Sequence, residues 1–236
     1  MQIPKTVNVL GFTRNPDAMR RTCREVERLG LEAKPFWNFP TAWTKFIQKR
    51  LPFANNAMRY HEGFFNSGWG HYAILSIARD LGELPVFVVE DDCRFLKDAD
   101  AVLRGIEGAP DDADLLLLDS FGPVKSQDDF IAEREKAVGG WAPFTSARSA
   151  AAYIVGPRLV DRLVSLGECG AKAMKARIFD QWFEKRWLPD AKLYCAVPNL
   201  AVQQTDKTGN AERASSASNY EKYLAIGVDF GAYAPW

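Results

Sequence analysis

Apolar positions recur along this chain in two rhythms. Continuous short runs, TVNVLGF (6–12), EAKPFWNF (32–39), LPVFVVE (84–90), ADLLLLDS (113–120), SAAAYIVG (149–156) and KLYCAVP (192–198), read as strands buried in a sheet. Between the first two, NPDAMRRTCREVERLGL spaces Met19, Cys23, Val26 and Leu29 as a helix does. Asn15 is placed to cap it, Pro16 suits its first position and Gly30 its end. HYAILSIARDLGE (71–83), PRLVDRLVSLG (157–167) and IFDQWFEKRW (178–187) read as further helical segments. Strands that alternate with helices predict an α/β fold, a central mostly parallel sheet flanked by helices.

Three stretches break the rhythm. Thr41 to Phe65 is aromatic and basic with weak periodicity, and reads as a surface segment or lid around a site. Residues 121–144 form a polar excursion punctuated by Gly and Pro. The tail from Gln203 to Tyr220 is rich in Ser, Thr, Asn and charge, and reads as a flexible loop that orders on ligand.

Composition narrows the class. The 236 residues are 47% apolar and 25% charged, enough for one domain with a substantial core. Thirty basic and thirty acidic residues cancel, so no global field draws the protein to nucleic acid or an anionic membrane. Cys23, Cys93, Cys169 and Cys195 form no CxxC pair, which points away from a zinc site or disulfide framework and toward a reducing, cytoplasmic setting. No window approaches the roughly 20 apolar residues of a transmembrane segment.

The chemistry concentrates where VFVVEDDCRF (86–95) sets Glu90, Asp91 and Asp92 directly after four apolar residues. Ligands of open α/β sheets bind outside the carboxyl ends of the strands, which is where this triplet and Asp119 fall. Crowded anions call for a positive partner, and a hard divalent cation held by one or two carboxylates plus substrate phosphates supplies one. A solvated turn explains the triplet equally well.

The order of several motifs resembles glycosyltransferase family 25, the group of bacterial lipooligosaccharide galactosyltransferases and procollagen galactosyltransferases. The carrying pieces are VNVLGFTRNPDAMRR, GWGHYAIL, VVEDD, AAAYIVGPRLVDRL, IFDQWF and VPNLAVQQ, which span most of residues 6–204. Thr13, Gly70 and Phe179 depart from the family's pattern. The resemblance implies a single GT-A-like domain: residues up to about 120 for the donor nucleotide, about 121–204 for the acceptor, and a flexible tail over 205–236. It implies a hexosyltransferase that moves a galactose- or glucose-type sugar from a nucleotide-sugar donor, uridine diphosphate by preference, to a hydroxyl acceptor with inversion, aided by Mn2+ or Mg2+. The acceptor would be a glycan, a lipid-linked glycan or a modified nucleic acid.

On that resemblance Asp92 binds the metal with Glu90, and Glu90 and Asp91 contact the donor. Asp180 is the first choice for the general base and Asp119 the reserve. Helix N-capping is an equal reading of Asp180. His71 contacts a phosphate or orients an acid, or serves only as a structural hydrogen-bonding residue; His61 reads as structural. Arg14, in the turn after the first strand, pairs with diphosphate oxygens; Arg20 and Arg21 point about 100° apart on a helix, so at most one joins it. Trp69 and Trp141, read as lying in loops, are candidates for stacking on the sugar. Rival readings are a metal-dependent nucleotidyltransferase or phosphohydrolase using the same acids, and a silent sugar-binding protein. The basic, aromatic segment WTKFIQKRLPFANNAMRY keeps the nucleic-acid acceptor in play.

Overall fold

The computed structural model describes residues 3–12, 16–38, 62–122, 126–168, 179–186, 188–203 and 215–235. Strand β1 (Thr6–Phe12) leads into helix α1 (Pro16–Arg28) and strand β2 (Glu32–Asn38), the β-α-β unit that the pattern predicts. Helix α2 (Glu62–Leu81), β3 (Val86–Glu90), β4 (Cys93–Phe95), α3 (Ala99–Glu107) and β5 (Leu115–Leu117) follow. Then come α4 (Gln127–Arg134), β6 (Trp141–Pro143), β7 (Ala152–Val155) and α5 (Pro157–Glu168). A 3-10 turn (Phe179–Phe183), β8 (Leu193–Ala196), β9 (Ala201–Gln203), α6 (Ser215–Ala225) and a last 3-10 turn (Phe230–Ala232) complete the described chain.

Seven strands form one sheet in the order β2-β1-β3-β7-β5-β8-β6, and β4 pairs with β9 separately. Strands β1, β2 and β3 are parallel, β7 runs against β3 and β5, β8 follows β5, and β6 opposes β8. Only β6 and β7 therefore run against the common direction, and the expected mostly parallel α/β sheet is found. Each face of it carries a core. Val7, Val9, Phe87 and Val89 pack with Met19 and Val26 of α1 and Val102 and Ile106 of α3. Leu10, Val86, Val88 and Tyr153 pack on the other face with Ile74 and Leu75 of α2 and Leu159, Val160 and Leu163 of α5. Strands covered on both sides must be apolar throughout, which is why β3, β5 and β7 read as unbroken runs.

Several expectations change. The helix read from His71 begins at Glu62, so Gly68 and Gly70 lie inside it. Gly70 is there because α2 crosses the sheet closely: a Cβ at that position would sit 2.5 Å from Asn38 Oδ1 and nearer still to Leu10. The polar excursion contains α4 and β6, and FDQWF (Phe179–Phe183) forms one 3-10 turn. The part of the tail in 215–235 is not a loose segment. Tyr223, on α6, is fully buried and packs with Phe121, Val202 of β9, Val228 and Tyr233. Most of the segment read as a lid, and residues 204–214 of the tail, lie outside the described residues.

Two neighbouring glycines test this packing. Gly70→Ala is expected to lower stability by about 1–3 kcal/mol through overpacking. At Gly68 a Cβ would meet only Phe179 Cβ at 3.8 Å. Gly68→Ala is therefore expected to be neutral or to gain up to about 1 kcal/mol of helix propensity. Urea midpoints of the two variants check the contrast, and equal shifts would contradict the close crossing.

Candidate functional site

The parallel register of β1 and β3 sets Leu10 beside Glu90, so both chains leave the sheet together. The turn after Glu90 is pinned from two sides: Asp91 N donates to Leu10 O at 2.8 Å, and Thr22 Oγ1 of α1 donates to Asp91 O at 2.8 Å. The Asp91 side chain is buried over Gly11, where a Cβ would come within 2.8 Å of Oδ2. A side chain at position 11 would displace it. Three acids are thus delivered to the carboxyl end of the parallel block by backbone geometry.

Glu90 turns toward α2. His71, fully buried, sits with Nε2 3.2 Å from Glu90 Oε1 and Nδ1 3.1 Å from the Tyr153 hydroxyl. Beside an ionised Glu90, which only accepts, Nε2 is the donor, and in a neutral imidazole Nδ1 then accepts from the Tyr153 hydroxyl. Burial pushes the Tyr153 phenol well up, which keeps it a donor. The ring of Phe179 stacks on His71 at 4.5 Å. His71 is therefore a holder of Glu90 inside the core, at mid-helix.

The second partner of the acids is Gln203, opposite Cys93 in the β4–β9 pair. Its Nε2 donates to Glu90 Oε2 at 3.4 Å and to Asp92 Oδ2 at 3.1 Å. One amide thus bridges two carboxylates. VPNLAVQQ does not by itself single out Gln203, since only strand pairing across more than a hundred residues brings it to Asp92.

Asp119 and Asp180 are joined through Ser149, whose φ of 96° is unusual for a residue other than glycine. Ser149 Oγ donates to Asp119 Oδ2, and its backbone N–H donates to Asp180. Asp119 is 0% exposed and accepts also from Tyr223 OH at 2.5 Å and Asn199 Nδ2 at 3.5 Å. Burial raises it to about 7 despite these donors. Tyr223 OH in turn accepts from Gln203 N at 3.2 Å. With its oxygens taken up this way, Asp119 ties α6, β9 and the Ser149 bend together.

Asp180 differs. It lies in the 3-10 turn after Phe179 and not at a helix cap, and its Oδ1 is buried with no hydrogen-bond partner. Burial raises it to about 6, the Arg148 guanidinium working against that and Glu184 and Glu90 adding to it. Arg148 is itself paired with Glu184. Asn38, at the end of β2, is a second buried side chain whose amide lacks partners. Nothing in the sequence distinguished it from any strand-terminal Asn.

Of the other expected site residues, Arg14 and His61 lie outside the described residues. Trp141 is not in a loop: it forms β6, is 2% exposed and donates Nε1 to Gly105 O at 2.9 Å, so it belongs to the core. Trp69 is on α2, half-buried beside Tyr72 at 5.6 Å. Arg20 is exposed and paired with Asp17. Among the described residues, no group of three or more His, Cys, Asp or Glu side chains is arranged to hold a metal ion. No helix among them is long and apolar enough to cross a membrane.

No protein-family model matches the chain, and no curated protein matches it. Among solved structures, mouse xyloside xylosyltransferase 1 in its apo form resembles it at 14% sequence identity and a TM-score of 0.37, covering 94% of this chain and 82% of that one.

The two raised carboxyls give a pH test. Their folded pKa values of about 7 and about 6 lie above the ordinary 3.8, so between those limits the folded chain holds protons that the unfolded chain has lost. Their contribution to stability is therefore full below about pH 4 and declines as the pH rises to about 7. Asp119→Asn is expected to flatten the larger part of this decline. Urea midpoints at about pH 5 and about pH 8 for both proteins measure it, and an unchanged slope would contradict a proton held on Asp119.

Proposed function

We propose that the protein is a GT-A-like glycosyltransferase that moves a hexose from a nucleotide-diphosphate donor to the hydroxyl of a glycan or lipid-linked glycan, with inversion. The observation that carries this reading is Asp180 Oδ1, a buried carboxylate oxygen with no partner, on a group raised to about 6 and within electrostatic reach of Glu90. A base poised near neutral pH next to an acid cluster at the carboxyl end of a parallel block suits proton removal from an acceptor hydroxyl.

Glu90 and Asp92, drawn together by Gln203, form a pair of carboxylates that suits a hard cation whose other ligands come from diphosphate oxygens. Bound there, Mn2+ or Mg2+ would supply electrostatic stabilisation of the departing nucleotide diphosphate. His71 and Tyr153 hold Glu90 in place, and Asp91 is fixed over Gly11 at the donor end. Asn38 offers an amide to the donor from the neighbouring strand end, with Arg14 and Trp69 as further donor contacts. Asp180 takes the proton of the acceptor hydroxyl, whose oxygen bonds to the anomeric carbon. The bond from that carbon to the diphosphate oxygen breaks, and its electron pair leaves with the nucleotide. Asp119 holds Ser149, and through it the backbone that faces Asp180.

A uridine-diphosphate sugar with Mn2+ is expected to raise the melting temperature, and a chelator to remove most of the rise. Asp92→Asn should lose that metal-dependent shift while remaining folded. Asp180→Asn should keep the shift and lose about 10²–10⁴-fold in transfer rate. Absence of a shift with any nucleotide sugar would remove the transferase reading, and full turnover in Asp180→Asn would remove the base assignment.

A further inference from the structure

Asn38 ends β2 with a side chain that is 1% exposed and whose Oδ1 and Nδ2 both lack a hydrogen-bond partner. A buried amide left unmet costs stability, and an apolar side chain of similar shape avoids that cost. Packing at the strand end therefore gives no reason for an asparagine. The neighbouring helix leaves room for it, since a Cβ at Gly70 would sit 2.5 Å from Oδ1.

Strand register locates this amide relative to the acids. Phe36, Leu10 and Glu90 lie level across β2, β1 and β3. Side chains alternate along a strand, so Asn38 shares the face of Phe36 and Glu90 that of Val88, both on the α2 side of the sheet. Asn38 thus lies two strands across from Glu90 and two residues further toward the carboxyl edge, about 12 Å between Cα atoms.

We propose that the Asn38 amide reads the base of the donor nucleotide, giving one hydrogen bond from Nδ2 and accepting one at Oδ1. This rests on the donor reading above, in which Glu90 and Asp92 face the diphosphate. With the diphosphate at the acids, a nucleoside laid along the carboxyl edge of the sheet brings its base to the end of β2. A nucleobase edge sets a donor beside an acceptor, which is the complement of an asparagine amide. An ionised phosphate only accepts and would leave Oδ1 unmet.

Calorimetric titrations with UDP, CDP, GDP and ADP, and with inorganic pyrophosphate, each with Mn2+, test the assignment. Pyrophosphate reports on the acids alone, because it has no base. The wild type is expected to prefer one of the four nucleotides by about tenfold or more, the scale of a two-point contact to a base. Asn38→Leu fills the space without an amide, and Asn38→Ala leaves it open. Both should weaken the preferred nucleotide about tenfold, bring the four close together and bind pyrophosphate as the wild type does. Equal binding of the four nucleotides by the wild type overturns the proposal, as does an unchanged preference in both variants. Equal weakening of all four would place the amide on the ribose, and loss of pyrophosphate binding in both variants would make Asn38 a support of the acid cluster; either result also overturns it. If the wild type binds no pyrophosphate with Mn2+, the donor reading itself falls, and the base contact with it.

Discussion

Everything at the carboxyl end of this sheet answers one constraint: three consecutive carboxylates leave a fully buried strand and must be kept from repelling each other apart. Charges taken from water cost several kcal/mol each unless they are paired and hydrogen-bonded. The protein meets this by giving each acid its own hydrogen-bonding or packing partner. Glu90 goes to His71 and Gln203, Asp91 lies over Gly11, and Asp92 shares the Gln203 amide. Gln203 is the hinge of the arrangement, because one neutral amide donates to two anions and holds them together.

That solution makes distant parts of the chain interdependent. Gln203 is located by β9, whose backbone is tied to Tyr223 of α6, which donates to Asp119 at the end of β5. Asp119 accepts from Ser149, and the strained Ser149 backbone reaches Asp180. A residue held at positive φ costs of order 1–3 kcal/mol and persists only where its surroundings demand it. Here the demand is visible, since the same residue serves a fully buried carboxylate on one side and a partly partnered one on the other. The C-terminal helix is consequently part of the framework of the acid cluster.

Burial then separates the two remaining acids by their hydrogen bonds. Asp119 and Asp180 are both raised by desolvation, yet Asp119 is surrounded by donors while Asp180 keeps one oxygen unengaged. The same residue type therefore serves as a structural tie in one place and keeps a buried, unpartnered oxygen in the other.

The alternation of apolar runs and helical periodicity made the β-α-β start, the buried β3, β5 and β7, and the placement of Glu90–Asp92 at a strand end legible in sequence, because period and run length report directly on which faces are covered. The 3-10 turn at Asp180, the core position of Trp141 and the packed α6 were not legible, since short polar or glycine-punctuated segments take their conformation from what they pack against. His71 in mid-helix has the same origin: Gly68 and Gly70 read locally as a helix boundary, and only the close crossing of α2 over Leu10 and Asn38 shows why the helix needs a glycine at position 70. By itself the sequence determined where the acids leave the sheet. Which partners they meet, and which residue holds them together, was decided by tertiary structure, because hydrogen-bond satisfaction and desolvation belong to neighbours distant in the chain.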